Sequence, residues 1–220
     1  MLRAAIFDLD GLLIDSEAIW FETECEVFGS VGIKLTPEMG ASTQGFRLDE
    51  VVAHWWQYQP WEGPTRDEIA QRLGTLVAER VASRAKALPG AVDAVRFARS
   101  RVEGLAIASA TSDAIIHAAL QRLGIAALFD VVHSAESEAR GKPDPAVFLS
   151  AARMLGIVPG DCVVFEDSVN GVIAAKAAGM RCIAVPEAAQ AADPRYAIAD
   201  MRLRTLEALD ARAWDAVTGA

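Results

Sequence analysis

The chain has 220 residues, with 21 Lys and Arg against 30 Asp and Glu and a formal net charge of −9 at pH 7. That balance disfavours a protein that must neutralise nucleic-acid phosphates. With 52% hydrophobic and 23% charged residues, neither a disordered nor a collagen-like chain fits. At about 150 residues per domain the length suggests one domain or one and a half, with core enough to need no disulfide or structural metal. Cys25, Cys162 and Cys182 are widely spaced, without a C-x-x-C pair, and read as thiols in a reducing compartment. No apolar run reaches the ~18 residues of a membrane span, and the chain opens directly into a strand-like run. The expectation is a soluble cytoplasmic protein with neither membrane nor nucleic-acid partner.

In chain order, the first strand is predicted over residues 4–9. Residues 16–86 then run helix upon helix: Thr36 before Pro37 reads as an N-cap with proline at the first helical position, and Thr65 with Glu68 as a capping box. From there short apolar runs alternate with helical patterns. Strands are predicted at 105–109, 131–134, 162–166 and 182–185, and helices at 91–100, 112–123, 145–155, 169–178 and 206–213. The fold class is α/β: a Rossmann-like parallel sheet core over residues 1–15 and 87–220, with an inserted α-helical cap over 16–86. An insertion after the first strand closes over the carboxyl edge of the sheet, where such folds bind ligands.

Asp8 and Asp10, in Phe7-Asp8-Leu9-Asp10-Gly11, place two carboxylates where an apolar strand ends, and Gly11 lets the backbone turn at once. Glu166 and Asp167 do the same after residues 162–165. If these two strands are neighbours, the oxygen-only cluster suits Mg²⁺. Ser109-Ala110-Thr111 offers a hydroxyl and main-chain N–H groups at a helix start, and Gly141-Lys142-Pro143 one framed ammonium. Singly, each is equally an acidic turn, a helix cap or a surface lysine; the case lies in their combination.

Asp8-Leu9-Asp10-Gly11, Ser109, Lys142 and Glu166-Asp167-Ser168, in that order, resemble the four motifs of the haloacid dehalogenase-like phosphohydrolases. The helical insertion is similar to the lid of the β-phosphoglucomutase-like branch. Asp10-Gly11-Leu12-Leu13-Ile14-Asp15-Ser16-Glu17, Gln59-Pro60-Trp61-Glu62-Gly63-Pro64 and Glu166-Asp167-Ser168-Val169-Asn170-Gly171 narrow the resemblance to the bacterial hexitol phosphatase, or 2-deoxyglucose-6-phosphate phosphatase, group.

The resemblance implies that Asp8 forms an aspartyl-phosphate and that Asp10 is the acid and base. It implies Mg²⁺ held by Asp8, the Asp10 carbonyl and Asp167 with help from Glu166, and phosphoryl oxygens held by Lys142, Ser109 and the Ala110 N–H. Arg47 matches a lid arginine that meets the substrate. Trp55, Trp56, Tyr58 and Trp61 read as lid core. Trp20 stands where mutases of the branch carry a histidine that restrains the acid/base aspartate, so Asp10 is expected to be unrestrained and water free to attack. The expected function is Mg²⁺-dependent hydrolysis of a small phosphorylated sugar or polyol by a monomer. A phosphosugar mutase is the alternative, and a non-catalytic phosphosugar-binding protein a more distant one.

Overall fold

A computed structural model of the chain describes residues 2–219. β1 (Ala4–Phe7) is followed by β2 (Ile14–Asp15), four helices, α1 (Glu17–Gly29), α2 (Pro37–Ser42), α3 (Leu48–Tyr58) and α4 (Arg66–Arg84), and then β3 (Lys86–Ala87). The rest alternates: α5 (Ala91–Arg99), β4 (Gly104–Ser109), α6 (Asp113–Leu123), β5 (Val131–Ser134), α7 (Ala146–Leu155), β6 (Cys162–Glu166), α8 (Val169–Ala177), β7 (Arg181–Ala184), β8 (Met201–Arg202) and α9 (Ala211–Thr218).

Six strands form one parallel sheet in the order β5-β4-β1-β6-β7-β8. The period-two alternation of a strand separates two cores. Ala5, Phe7, Leu105, Ile107, Val163 and Phe165 pack with α5 and α6 on one face. Ala4, Ile6, Ala106, Ala108, Val164 and Ala184 pack with α7 and α8 on the other. With both faces covered, the central strands read as unbroken apolar runs.

From β1 the sheet grows outward through β4 and β5, and the chain then crosses back to lay β6 on the opposite side of β1. The carboxyl end of β1 is therefore a switch point, where open α/β sheets bind ligands. Phe7 pairs in register with Phe165, their rings stacked 4.3 Å apart, which brings the ends of β1 and β6 level.

Between β2 and β3, which pair antiparallel, lies the helical insertion. Two of its helices, α2 and α4, begin where the sequence predicts. The Thr36 hydroxyl accepts from Met39 N at 3.3 Å, and Thr65 and Glu68 cap reciprocally at 3.2 and 2.7 Å, a motif worth about 1 kcal/mol. Phe28, Val51, Trp55, Leu73 and Val77 form the interior of the insertion.

One expectation near the C-terminus is corrected. The helix predicted over 206–213 is a single 3₁₀ turn at Leu206–Ala208 followed by α9, because Asp210 caps the helix through Ala213 N at 2.7 Å instead of lying inside it. β8, only two residues long, was not predicted.

Candidate active site

Asp8 follows β1 directly, and its amide N–H donates to the Phe165 carbonyl at 3.0 Å, so the sheet ladder fixes where the side chain starts. The loop closes through Leu13 N on the Leu9 carbonyl at 2.9 Å. Gly11 has φ +74°, and a Cβ there would lie 2.4 Å from Asp167 Oδ2. Both the left-handed backbone and the approach of Asp167 require glycine.

Lys142, on the loop between β5 and α7, is 5% exposed. Its Nζ lies 2.5 Å from Asp8 Oδ1 and 2.5 Å from Glu166 Oε1, and 3.3 Å from the Ala108 carbonyl. Burial alone would lower its pKa, but the Asp8 and Glu166 charges together raise it, so the ammonium is held charged. The other oxygen of Glu166, Oε2, accepts from Ser168 N and Oγ, each at 3.0 Å. A Cβ on Gly171 would collide with this carboxylate. Glu166 therefore backs the lysine and is turned away from the cavity.

Asp10 is engaged on one oxygen. Its Oδ1 accepts from Ser16 Oγ at 2.6 Å and from Trp20 Nε1 at 3.1 Å. The expectation that tryptophan at position 20 leaves Asp10 unrestrained is thus corrected, since the indole N–H supplies a donor as an imidazole would. Ser109, the last residue of β4, and Ala110 and Thr111 after it complete the floor of the cavity. The Ser134 hydroxyl donates to the Thr111 carbonyl at 2.7 Å and fixes that turn, while Thr111 Oγ1 is buried without a partner among the described residues.

Four carboxylates, Asp8, Asp10, Glu166 and Asp167, thus surround one ammonium. Burial is the main force raising the Asp8 carboxyl to about 7, with Lys142 opposing it and Glu166 and Asp10 adding to it. Burial, then the Glu166 and Asp8 charges, likewise hold Asp167 well above the usual carboxylate range. Burial raises Asp10 too, against the bonds from Ser16 and Trp20. The site is short of positive charge. Asp167 lines the cavity and receives no side-chain hydrogen bond from another described residue. Among the described residues no three acidic, His or Cys side chains close a metal cage by themselves: Glu166 is taken up by Lys142 and Ser168, and one oxygen of Asp10 by Ser16 and Trp20. The remaining donors, Asp8 and Asp167 with main-chain oxygen, fit a hard cation that keeps several waters.

The haloacid dehalogenase-like hydrolase profile matches residues 2–179. The chain belongs to the haloacid dehalogenase-like hydrolases. Over 212 residues this hydrolase is 40% identical to hexitol phosphatase B of Escherichia coli K12, covering 96% of each chain. It is 31% identical over 189 residues to the phosphorylated carbohydrates phosphatase of Thermotoga maritima, covering 83% of this chain and 84% of the relative. Among solved structures, CbbY of Rhodobacter sphaeroides in complex with phosphate superposes with a TM-score of 0.87 at 28% identity, over 95% of this chain and 96% of that one. The β-phosphoglucomutase of Clostridium difficile shares the fold, with a TM-score of 0.87 at 21% identity over 100% and 98% of the two chains. A divalent-metal cofactor is general to the family.

The cavity of the hydrolase is about 380 Å³ and is roofed by α1 and by residues 43–46. Arg47, expected to meet the substrate, does not line it. Its guanidinium pairs with Asp49 at 2.7 Å and donates to the Ala135 and Glu138 carbonyls at 3.3 and 2.6 Å, fastening the insertion to the core. Trp55, Trp56, Tyr58 and Trp61 also lie outside the lining. Sequence reasoning passed over Glu17, Glu24, Gln44 and Gln190, which do line it. The available signal was the helical spacing of Glu17, Trp20, Phe21 and Glu24.

Proposed function

We propose that this hydrolase is a Mg²⁺-dependent phosphatase of small phosphorylated sugars or sugar alcohols, with hexitol phosphates and 2-deoxyglucose-6-phosphate as leading substrates. The observation that carries the reading is that Asp8 and Asp10, two residues apart, stand in different surroundings. Asp8 is paired with a buried ammonium and opens on the cavity; Asp10 is held by two neutral donors. One carboxylate is suited to attack and the other to carry a proton. The 40% identity to a hexitol phosphatase supports the substrate class.

In this mechanism an Asp8 oxygen attacks phosphorus in line and the bond to the sugar oxygen breaks. Asp10 delivers a proton to the departing alkoxide, a contribution typically worth about 10²–10⁴-fold. Asp10 then takes a proton from water, whose oxygen attacks the aspartyl-phosphate; inorganic phosphate leaves and Asp8 is regenerated. Lys142, Ser109 and the Ala110 N–H hold phosphoryl oxygens as charge shifts among them. Asp8, the Asp10 carbonyl and Asp167 would hold Mg²⁺, and Glu166 would act behind Lys142. Mg²⁺, when bound, offsets the repulsion between Asp8 and a dianionic phosphate.

On this reading residues 16–86 are the cap and residues 1–15 with 87–220 the catalytic core, supported by the β2–β3 pairing where the chain leaves and returns. Three free cysteines suit a reducing, cytoplasmic setting. The testing experiment is a phosphate-release screen over sugar and polyol phosphates with and without Mg²⁺. Release from sorbitol 6-phosphate and 2-deoxyglucose-6-phosphate only with the metal is expected; no release from any of them would overturn the reading.

A further inference from the structure

One face of α1 looks into the cavity: Glu17, Trp20, Phe21 and Glu24, at i, i+3, i+4 and i+7. A helix that turned this face inward for packing alone would carry apolar residues there, yet two of the four are glutamates. Glu24 is 6% exposed. Among the described residues no donor or cation meets its carboxylate, and burial alone raises it to about 7. The neighbouring Arg80 is turned to Thr23, Glu22 and Glu26. A buried carboxylate without a partner is costly, and its natural partners in an open cavity are the donors of whatever binds there.

The polyol part of a sugar phosphate is a row of hydroxyl donors, and a carboxylate is an acceptor only. The sole cation lining the cavity among the described residues is Lys142, already placed between Asp8 and Glu166. Arg47 faces the Ala135 and Glu138 carbonyls instead. Glu17 and Glu187 add negative charge to the lining. A second phosphate or a carboxylate on the substrate would meet Glu24 and Glu17 with nothing to neutralise it.

We infer that Glu24 determines specificity: its carboxylate accepts hydroxyls of the bound polyol and, with Glu17, turns away substrates bearing a second anionic group, so that the hydrolase takes monophosphates of neutral polyols. The inference rests on the phosphatase reading above and extends it to substrate choice. It also separates the chain from a mutase, whose sugar bisphosphate intermediate needs two anion sites.

The test compares kcat and KM at about pH 8, where Glu24 is ionised, for sorbitol 6-phosphate, 6-phosphogluconate and fructose 1,6-bisphosphate in the wild type and in Glu24→Gln, which keeps the volume and removes the charge. The wild type should favour sorbitol 6-phosphate by about 100-fold in kcat/KM, as expected of juxtaposed like charges. In Glu24→Gln the KM for sorbitol 6-phosphate should rise about 10-fold and the discrimination against the two anionic probes should shrink by a similar factor. Thermal unfolding and competitive inhibition by inorganic phosphate report whether the variant is folded; Glu24→Met supplies the same comparison should Glu24→Gln not fold. Unaltered discrimination in a folded variant overturns the role of Glu24 while wild-type turnover leaves the phosphatase reading standing. A wild type that releases no phosphate from any probe withdraws the phosphatase reading instead.

Discussion

Trp20 Nε1 and Ser16 Oγ donate to the same oxygen of Asp10, at 3.1 and 2.6 Å. Ser16 occupies the N-cap position of α1, yet its hydroxyl makes no cap bond; it is turned to Asp10 instead. The first turn of the insertion thus sets the orientation of a carboxylate on the core, and motion of α1 would move both donors. Trp20→Phe removes one of them without emptying the space. Loss of a hydrogen bond to a charged group should lower kcat about 10-fold with KM little changed, measured by steady-state phosphate release. An unchanged kcat would show that the indole N–H does not orient Asp10.

Arg47→Ala should act on closure and not on recognition. The guanidinium bonds to the Ala135 and Glu138 carbonyls join the insertion to the core, and losing them should raise KM for every substrate in the same proportion and speed proteolysis near β2 and β3. A changed order of preference among phosphate esters would instead place Arg47 on the substrate.

Excess chelator should stop turnover and Mg²⁺ should restore it, because four carboxylates around one ammonium leave the site short of positive charge. Ca²⁺, which takes more ligands at longer distances, should inhibit. Full activity in excess EDTA would contradict the metal assignment.

Glu24 makes stability depend on pH in a stated direction. An unfolded glutamate titrates near 4.5, whereas burial lifts the folded one to about 7. Between those values the unfolded chain has lost the proton and the folded chain keeps it, so stability falls as pH rises from about 4.5 to about 7 and the full penalty stands above that. At 1.36 kcal/mol per pH unit it is about 3 kcal/mol. Glu24→Gln has no proton to lose and should melt several degrees higher than the wild type at about pH 8, with little difference at about pH 4. Equal melting temperatures at both would contradict the buried, unpartnered state of Glu24.

The central strands and the acidic strand ends were legible because both depend on local sequence: unbroken apolar runs give the doubly covered strands, Asp8 follows β1, and Ser109 and Glu166 are the last residues of β4 and β6, with Asp10 and Asp167 in the turns just beyond. Side-chain direction was less legible. Arg47 points away from the cavity because of carbonyls at 135 and 138, some ninety positions away in sequence. Glu166 turns from the metal donors because Lys142 and Ser168 claim both its oxygens. Asp210 was read inside a helix because its capping role shows only once Ala213 N is placed. β8 pairs only through Met201 and Arg202, too short a run for any periodicity.

The central claim is that Asp8 carries the phosphoryl group during turnover, and mass spectrometry of enzyme acid-quenched while hydrolysing sorbitol 6-phosphate tests it most directly. The account predicts one phosphoryl group on the peptide containing Asp8 and none in Asp8→Asn, which should also have lost turnover. Steady release of inorganic phosphate by Asp8→Asn, with contaminating phosphatase excluded, would contradict it.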